Sequence, residues 1–162
     1  MKKLSFLLMI GLFSIVFMGC PYSAEIGIDM TPSVKIDEKL LGKWESKSSS
    51  DYAYTVTKSD ANTYAIEKKS ASSGDITSYK GFLSNIGGTV YMNVYEDGST
   101  TKTYYFYKIE ISGSGAKTSM TPVTENITEK FTTSSELKEF FKKNQINSYF
   151  FDKDADVYIK AD

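Results

Sequence analysis

Histidine and arginine are both missing from this chain, and cysteine occurs only once. Histidine is the usual general base near neutral pH and a frequent metal ligand. Without it, Ser-His-Asp and Cys-His catalysis and histidine-based zinc sites are excluded. Arginine is the usual bidentate clamp for carboxylate and phosphate, so that mode of anion recognition is absent too. One cysteine cannot form an internal disulfide. Removing Lys2 and Lys3 with an N-terminal leader leaves 17 lysines against 20 acids, a net charge of −3. That balance gives no basic surplus for nucleic acid. What remains for chemistry is carboxylates, lysines, hydroxyls and 12 tyrosines.

The lone cysteine is placed informatively. Met1-Lys2-Lys3 opens the chain, a mostly apolar run follows from Leu4 to Met18, and Gly19-Cys20 ends it. A cationic start, a short apolar stretch and a small residue at the cut make a secretory signal. The run is short of the roughly 20 residues a membrane-crossing helix needs. Phe17-Met18-Gly19-Cys20 resembles the lipobox of bacterial lipoproteins, with Phe where Leu is usual. That resemblance implies cleavage before Cys20 and a diacylglyceryl (palmitate-type) anchor on its sulfur. Two acyl chains satisfy the physical requirement for stable anchoring. The expected organisation is a signal peptide over 1–19, a lipidated cysteine and flexible tether over 20–38, and one domain over 39–162. Pro21-Tyr22 after the cysteine lacks an aspartate that resembles an inner-membrane retention signal. The expected address is therefore the bacterial cell envelope, at the periplasmic side of the outer membrane.

From Gly42 onward the pattern is one of short strands. Tyr52, Tyr54 and Val56 alternate with Ala53, Thr55 and Thr57, the period of a half-buried strand. Gly87-Gly88 between Asp75–Ile86 and Thr89–Glu96 is a hairpin signal. The stretch Thr100–Ser112 is bulky on both faces, with Tyr105, Tyr107, Ile109 and Ile111 on one and Tyr104 and Phe106 on the other. Such a strand separates a core from either a covering element or a ligand cavity. Thr133 and Glu136 have capping-box spacing. Leu137, Phe140, Phe141 and Asn144 then fall on one helical stripe. Tyr149-Phe150-Phe151 and Val157-Tyr158-Ile159 read as two final strands around a turn at Asp152–Asp156. About nine strands and one C-terminal helix make an all-β fold. Closing this antiparallel meander into a barrel removes exposed edges; a β-sandwich is the alternative.

Gly42-Lys43-Trp44 stands where the first barrel strand begins. It resembles the Gly-x-Trp signature of the lipocalins and lipocalin-like proteins. The resemblance implies that Gly42 and Trp44 mark the barrel's closed end and that the cup takes a small hydrophobic or amphipathic molecule. Lipocalins also place a late arginine over the tryptophan, which this chain lacks. Alternation then nominates Tyr52, Tyr54, Tyr64, Met92, Tyr105 and Tyr107 as the ligand lining. The leading expectation is a non-enzymatic, membrane-tethered binding module needing no cofactor and no metal. The alternative is a structural or protein-interaction lipoprotein with a filled core, whose outer row Tyr91, Tyr95 and Tyr104 meets a protein partner of unknown identity. A carboxylate enzyme using Glu45 or Glu110 is a third reading. Asp152, Asp154 and Asp156 alternate like a calcium loop, but Val157 stands where that loop needs glycine, so a solvated turn is expected there.

Overall fold

The computed structural model describes residues 21–161; the expected signal peptide over 1–19 and the expected lipidated Cys20 lie outside the described residues. The fold is a closed antiparallel barrel of eight strands with one helix and one extra strand outside the ring. The extra strand is β1 (Ser23–Ala24). The ring begins with β2 (Gly42–Ser46), β3 (Tyr52–Lys58), β4 (Thr63–Ser70) and β5 (Ile76–Ile86). It continues with β6 (Thr89–Glu96), β7 (Tyr104–Ile111) and β8 (Lys117–Pro122). Helix α1 (Ser134–Asn144) follows, and β9 (Asp156–Ala161) slots between β8 and β2. The β7–β8 pairing completes the circle.

Local chemistry explains these elements. The β5–β6 hairpin turns on Gly87 and Gly88, at φ 60° and 93°. Positive φ at both central residues is what the tight hairpin turn demands. At α1 the Thr133 hydroxyl accepts from the Glu136 amide, and the Glu136 carboxylate accepts from the Thr133 amide. The expected capping box is thus formed. Leu137 and Phe141 of the expected stripe are fully buried.

The barrel has two cores because its wall is buried on both faces over β5–β7. Inside, Tyr64, Leu83, Met92 and Ile109 pack with Leu40. The strap Val34–Leu41 plugs one end. The Ile36 amide donates to the Ala61 carbonyl, and the Asp37 amide donates to the Tyr64 hydroxyl at 2.6 Å. Outside, Tyr91 and Phe106 face α1. Phe141 sits 5.2 Å from Tyr91, 5.3 Å from Phe106 and 5.0 Å from Phe150, ring centre to ring centre. Tilted and edge-on aromatic pairs at such separations add stabilisation beyond area burial. The bulk on both faces of β7 therefore meets both of its expected uses, a cavity within and a cover without.

Three expectations need correction. The stretch Tyr149-Phe150-Phe151 is a 3-10 turn over Ser148–Phe150 with a lone bridge from Phe151 to Val123, so a single strand follows the helix. The turn swings Phe150 into the outer aromatic core, where it is fully buried. Strand β7 begins at Tyr104, leaving 100–103 as a loop. Most important, residues 21–30 are not a loose tether. Tyr22 and Ile28 are buried in the outer core. The Tyr22 amide donates to the Val123 carbonyl at 2.8 Å, and β1 pairs with the start of β7.

This N-terminal clasp is held by Asn93, a fully buried side chain. Its Oδ1 accepts from the Ile28 amide at 2.8 Å, while its Nδ2 donates to the Phe82 carbonyl and the Ser84 hydroxyl. Glycine at 27 permits this close approach, since a Cβ would lie 2.8 Å from Phe82 Cζ and push that ring aside. Ser134 donates to the Gly27 carbonyl, and Lys138 pairs with Asp29 at 2.6 Å. Asn93→Ala strands a buried amide, which costs about 2–4 kcal/mol with the lost bonds. Lys138→Ala, breaking a partly exposed pair, costs under about 1 kcal/mol. Urea unfolding of both variants should show a large midpoint shift for the first and a small one for the second. Equal shifts would contradict this ranking.

Candidate ligand cavity

Inward-facing positions of the ring enclose a cavity of about 560 Å³. Its floor is apolar: Leu40, Trp44, Val56, Ile66, Met92 and Ile109 line it. Trp44 is 3% exposed and donates its indole N–H to the Leu40 carbonyl at 2.9 Å. Lys160 of β9 lies over the Trp44 ring, with Nζ 5.2 Å from its centre, and donates to the Lys39 carbonyl at 3.1 Å. A late-strand cation does cover the tryptophan; it is a lysine, held by cation–π attraction.

Above the floor five tyrosines converge: Tyr54, Tyr79, Tyr105, Tyr107 and Tyr158. The Tyr54 and Tyr158 rings meet edge to face at 5.4 Å. Burial pushes the Tyr107 hydroxyl well above its ordinary pKa, helped by the nearby Tyr54 and Asp156. Burial does the same to Tyr158, again reinforced by Tyr54 and Asp156. These hydroxyls therefore stay neutral, able both to donate and to accept. Nearer the open end the lining is polar, with Lys68, Glu96, Ser99, Thr101, Thr103 and Asp156. The lining thus runs from an apolar floor through a ring of hydroxyls to a charged mouth. The volume falls within the roughly 300–1,000 Å³ of small-molecule sites.

Of the six residues nominated by alternation, the structure brings Tyr54, Met92, Tyr105 and Tyr107 into this cavity. Tyr64 points inward as well, but it belongs to the plug. It is fully buried, its hydroxyl is bonded to the Asp37 backbone, and burial raises its pKa to about 12. Tyr52 sits outside the lining on the rim, 41% exposed, with the Lys68 ammonium 3.8 Å from its ring centre. Tyr79, Tyr158, Lys68, Glu96 and Asp156 went unnominated. Period two would have found Glu96 from Met92, two steps along the same face.

The outer row reads differently from its expectation. Tyr91 is fully buried under α1 and donates to the Gln145 side chain at 3.0 Å. Tyr95 and Tyr104 are partly exposed and packed on each other at 5.0 Å. Glu45 and Glu110 stand on β2 and β7, which are not neighbours in the ring. Among the described residues no group of acidic side chains has the arrangement of a metal site. Compared with known proteins, the chain matches no family model, no curated protein and no solved structure.

The tyrosines make an alkaline prediction. Tyr22 and Tyr64 are held at about 12 in the fold, chiefly by burial. An unfolded tyrosine ionises near 10. The unfolded state thus loses protons first, and stability that is complete below pH 10 drains as pH rises toward 12. Each such group contributes a slope of about 1.4 kcal/mol per pH unit in that window. Urea midpoints measured from pH 8 to 11.5 should be flat below about pH 9.5 and fall steeply above 10. A flat profile to pH 11.5 would contradict the burial of these hydroxyls.

Proposed function

We propose that this protein is a membrane-anchored, non-enzymatic binding module that holds a small hydrophobic or amphipathic molecule inside its barrel. The observation that carries the reading is the polarity gradient of the 560 Å³ cavity, apolar at Trp44 and Met92, hydroxyl-lined at Tyr107 and Tyr158, charged at Lys68 and Asp156. An apolar tail gains roughly 0.8 kcal/mol for each methylene removed from water. A polar head at the tyrosine ring exchanges its water for fixed hydroxyls, which orient it. A barrel filled by its own side chains would serve the alternative, a purely structural or protein-docking role, better than one with this much open interior. The anchor in this proposal is a diacylglyceryl group on Cys20 in the bacterial cell envelope, and the missing aspartate after the cysteine favours the periplasmic side of the outer membrane.

The test is native mass spectrometry of residues 21–162, exported without the lipid and never exposed to detergent. The expected result is a reproducible extra mass that organic solvent removes. Val94 lines the open part of the cavity and is only partly buried, so Val94→Phe fills that space with little strain. The variant should unfold within a few degrees of the parent and lose at least tenfold in cargo occupancy. A bare mass for the parent, repeated after incubation with envelope lipid extract, would overturn the reading.

A further inference from the structure

The position of Pro21 has a consequence for how the cavity meets the membrane. Pro21 is the first described residue and lines the cavity. It precedes β1, whose Ser23 pairs with Tyr105 at the open end of β7. The clasp then fixes this segment at Tyr22, Gly27, Ile28 and Asp29. Cys20 precedes Pro21 directly in the sequence, so an anchor on Cys20 begins one peptide bond from this segment. The barrel wall is far taller than that: an eight-residue strand such as β6 spans about 26 Å. A tether of eighteen free residues would let the barrel tumble on its anchor. A single peptide step from a clamped residue does not.

We infer that the open end of the barrel docks directly on the lipid surface, so that the cavity exchanges its occupant with the bilayer without an aqueous step. The inference rests on the reading of Cys20 as lipid-anchored. A second contact faces the anchor across the mouth. Tyr52, at the rim of β3, and Ile76, at the rim of β5, are 41% and 58% exposed. Strands β3 and β4 lie across the ring from β7 and β8, and β5 is paired to β4 beside them. Lys68 stands over the Tyr52 ring, and Lys69 pairs in register with Ile76. Aromatic and apolar side chains set beside lysines suit the headgroup level of a membrane. Anchor and rim together define a plane across the mouth, and the charged mouth residues then lie among headgroups. The occupant this arrangement favours is a single-chain amphiphile drawn from the membrane itself, tail toward Trp44.

The full chain, expressed with its leader and reconstituted in phosphatidylethanolamine–phosphatidylglycerol vesicles, tests this. A thiol introduced at Ser73, in the exposed turn between β4 and β5 at the mouth, carries a fluorophore. A second variant carries it at Ser114, in the exposed turn between β7 and β8 at the plugged end. A lipidated Cys20 has no free thiol to compete. Nitroxide-headgroup lipid should quench the Ser73 label several-fold more than the Ser114 label. Inserting ten Gly/Ser residues between Cys20 and Pro21 gives a coil of roughly 18 Å, and the difference should shrink while membrane attachment persists. Equal quenching at the two ends, with the diacylglyceryl mass confirmed on the Cys20 peptide, overturns the docking geometry alone. Absence of that mass, or a Cys20→Ser chain that stays membrane-bound and full-length, overturns the anchor and the docking together.

Discussion

The buried carboxamide of Asn93 is the interaction on which the rest of the structure depends. It sits on the outer face of β6, where an apolar side chain would be expected under the helix. Its oxygen takes the Ile28 amide, and its nitrogen serves Phe82 and Ser84. A buried polar group is tolerated only when every bond is made, and among the described residues no buried side-chain polar atom lacks a partner. With the β1–β7 pairing and the Tyr22–Val123 bond, this residue fastens the segment over 21–29 to the outside of the barrel. Helix α1 then packs beside it, tied through Ser134 to Gly27 and Lys138 to Asp29.

Two cores share one sheet as a result. The outer core is aromatic and closed, built from Tyr91, Phe106, Phe141 and Phe150 around Tyr22 and Ile28. It carries much of the burial and leaves the interior free to be incompletely filled. The inner core is dense only at its plugged end, where Tyr64 and Leu83 meet Leu40 of the strap. A barrel of this size can keep an open cavity because stability is supplied from outside the ring.

Much of this was legible in the amino-acid sequence, for physical reasons. Strands with one inner and one outer face alternate strictly, so β3 and β7 could be read from their tyrosines. The helix was legible because its capping box and stripe are local. Trp44 was placed at the closed end by its Gly-x-Trp context, and it does lie on the cavity floor. The clasp was not legible. Residues 21–30 have no sustained period, since they are held by groups distant in sequence: the Asn93 carboxamide, the Val123 carbonyl and the Ser134 hydroxyl. Phe150 misled because an aromatic pair has high strand propensity, and tertiary packing overrode it. Tyr64 misled differently: its face was right, but depth along a strand is set by the strap, and alternation carries no information about depth.

Central to all of this is that residues 21–29 are folded against the outside of the barrel and hold Pro21 at the cavity. Amide hydrogen exchange, followed residue by residue on the protein in solution, tests that most directly. The Tyr22 and Ile28 amides, bonded to Val123 and Asn93, should exchange with protection comparable to that of the β6 and β7 amides, within about tenfold, since they open only when the outer core does. Exchange of both at the rate of an unstructured peptide, while β6 and β7 stay protected, would show a free tether and contradict the clasp.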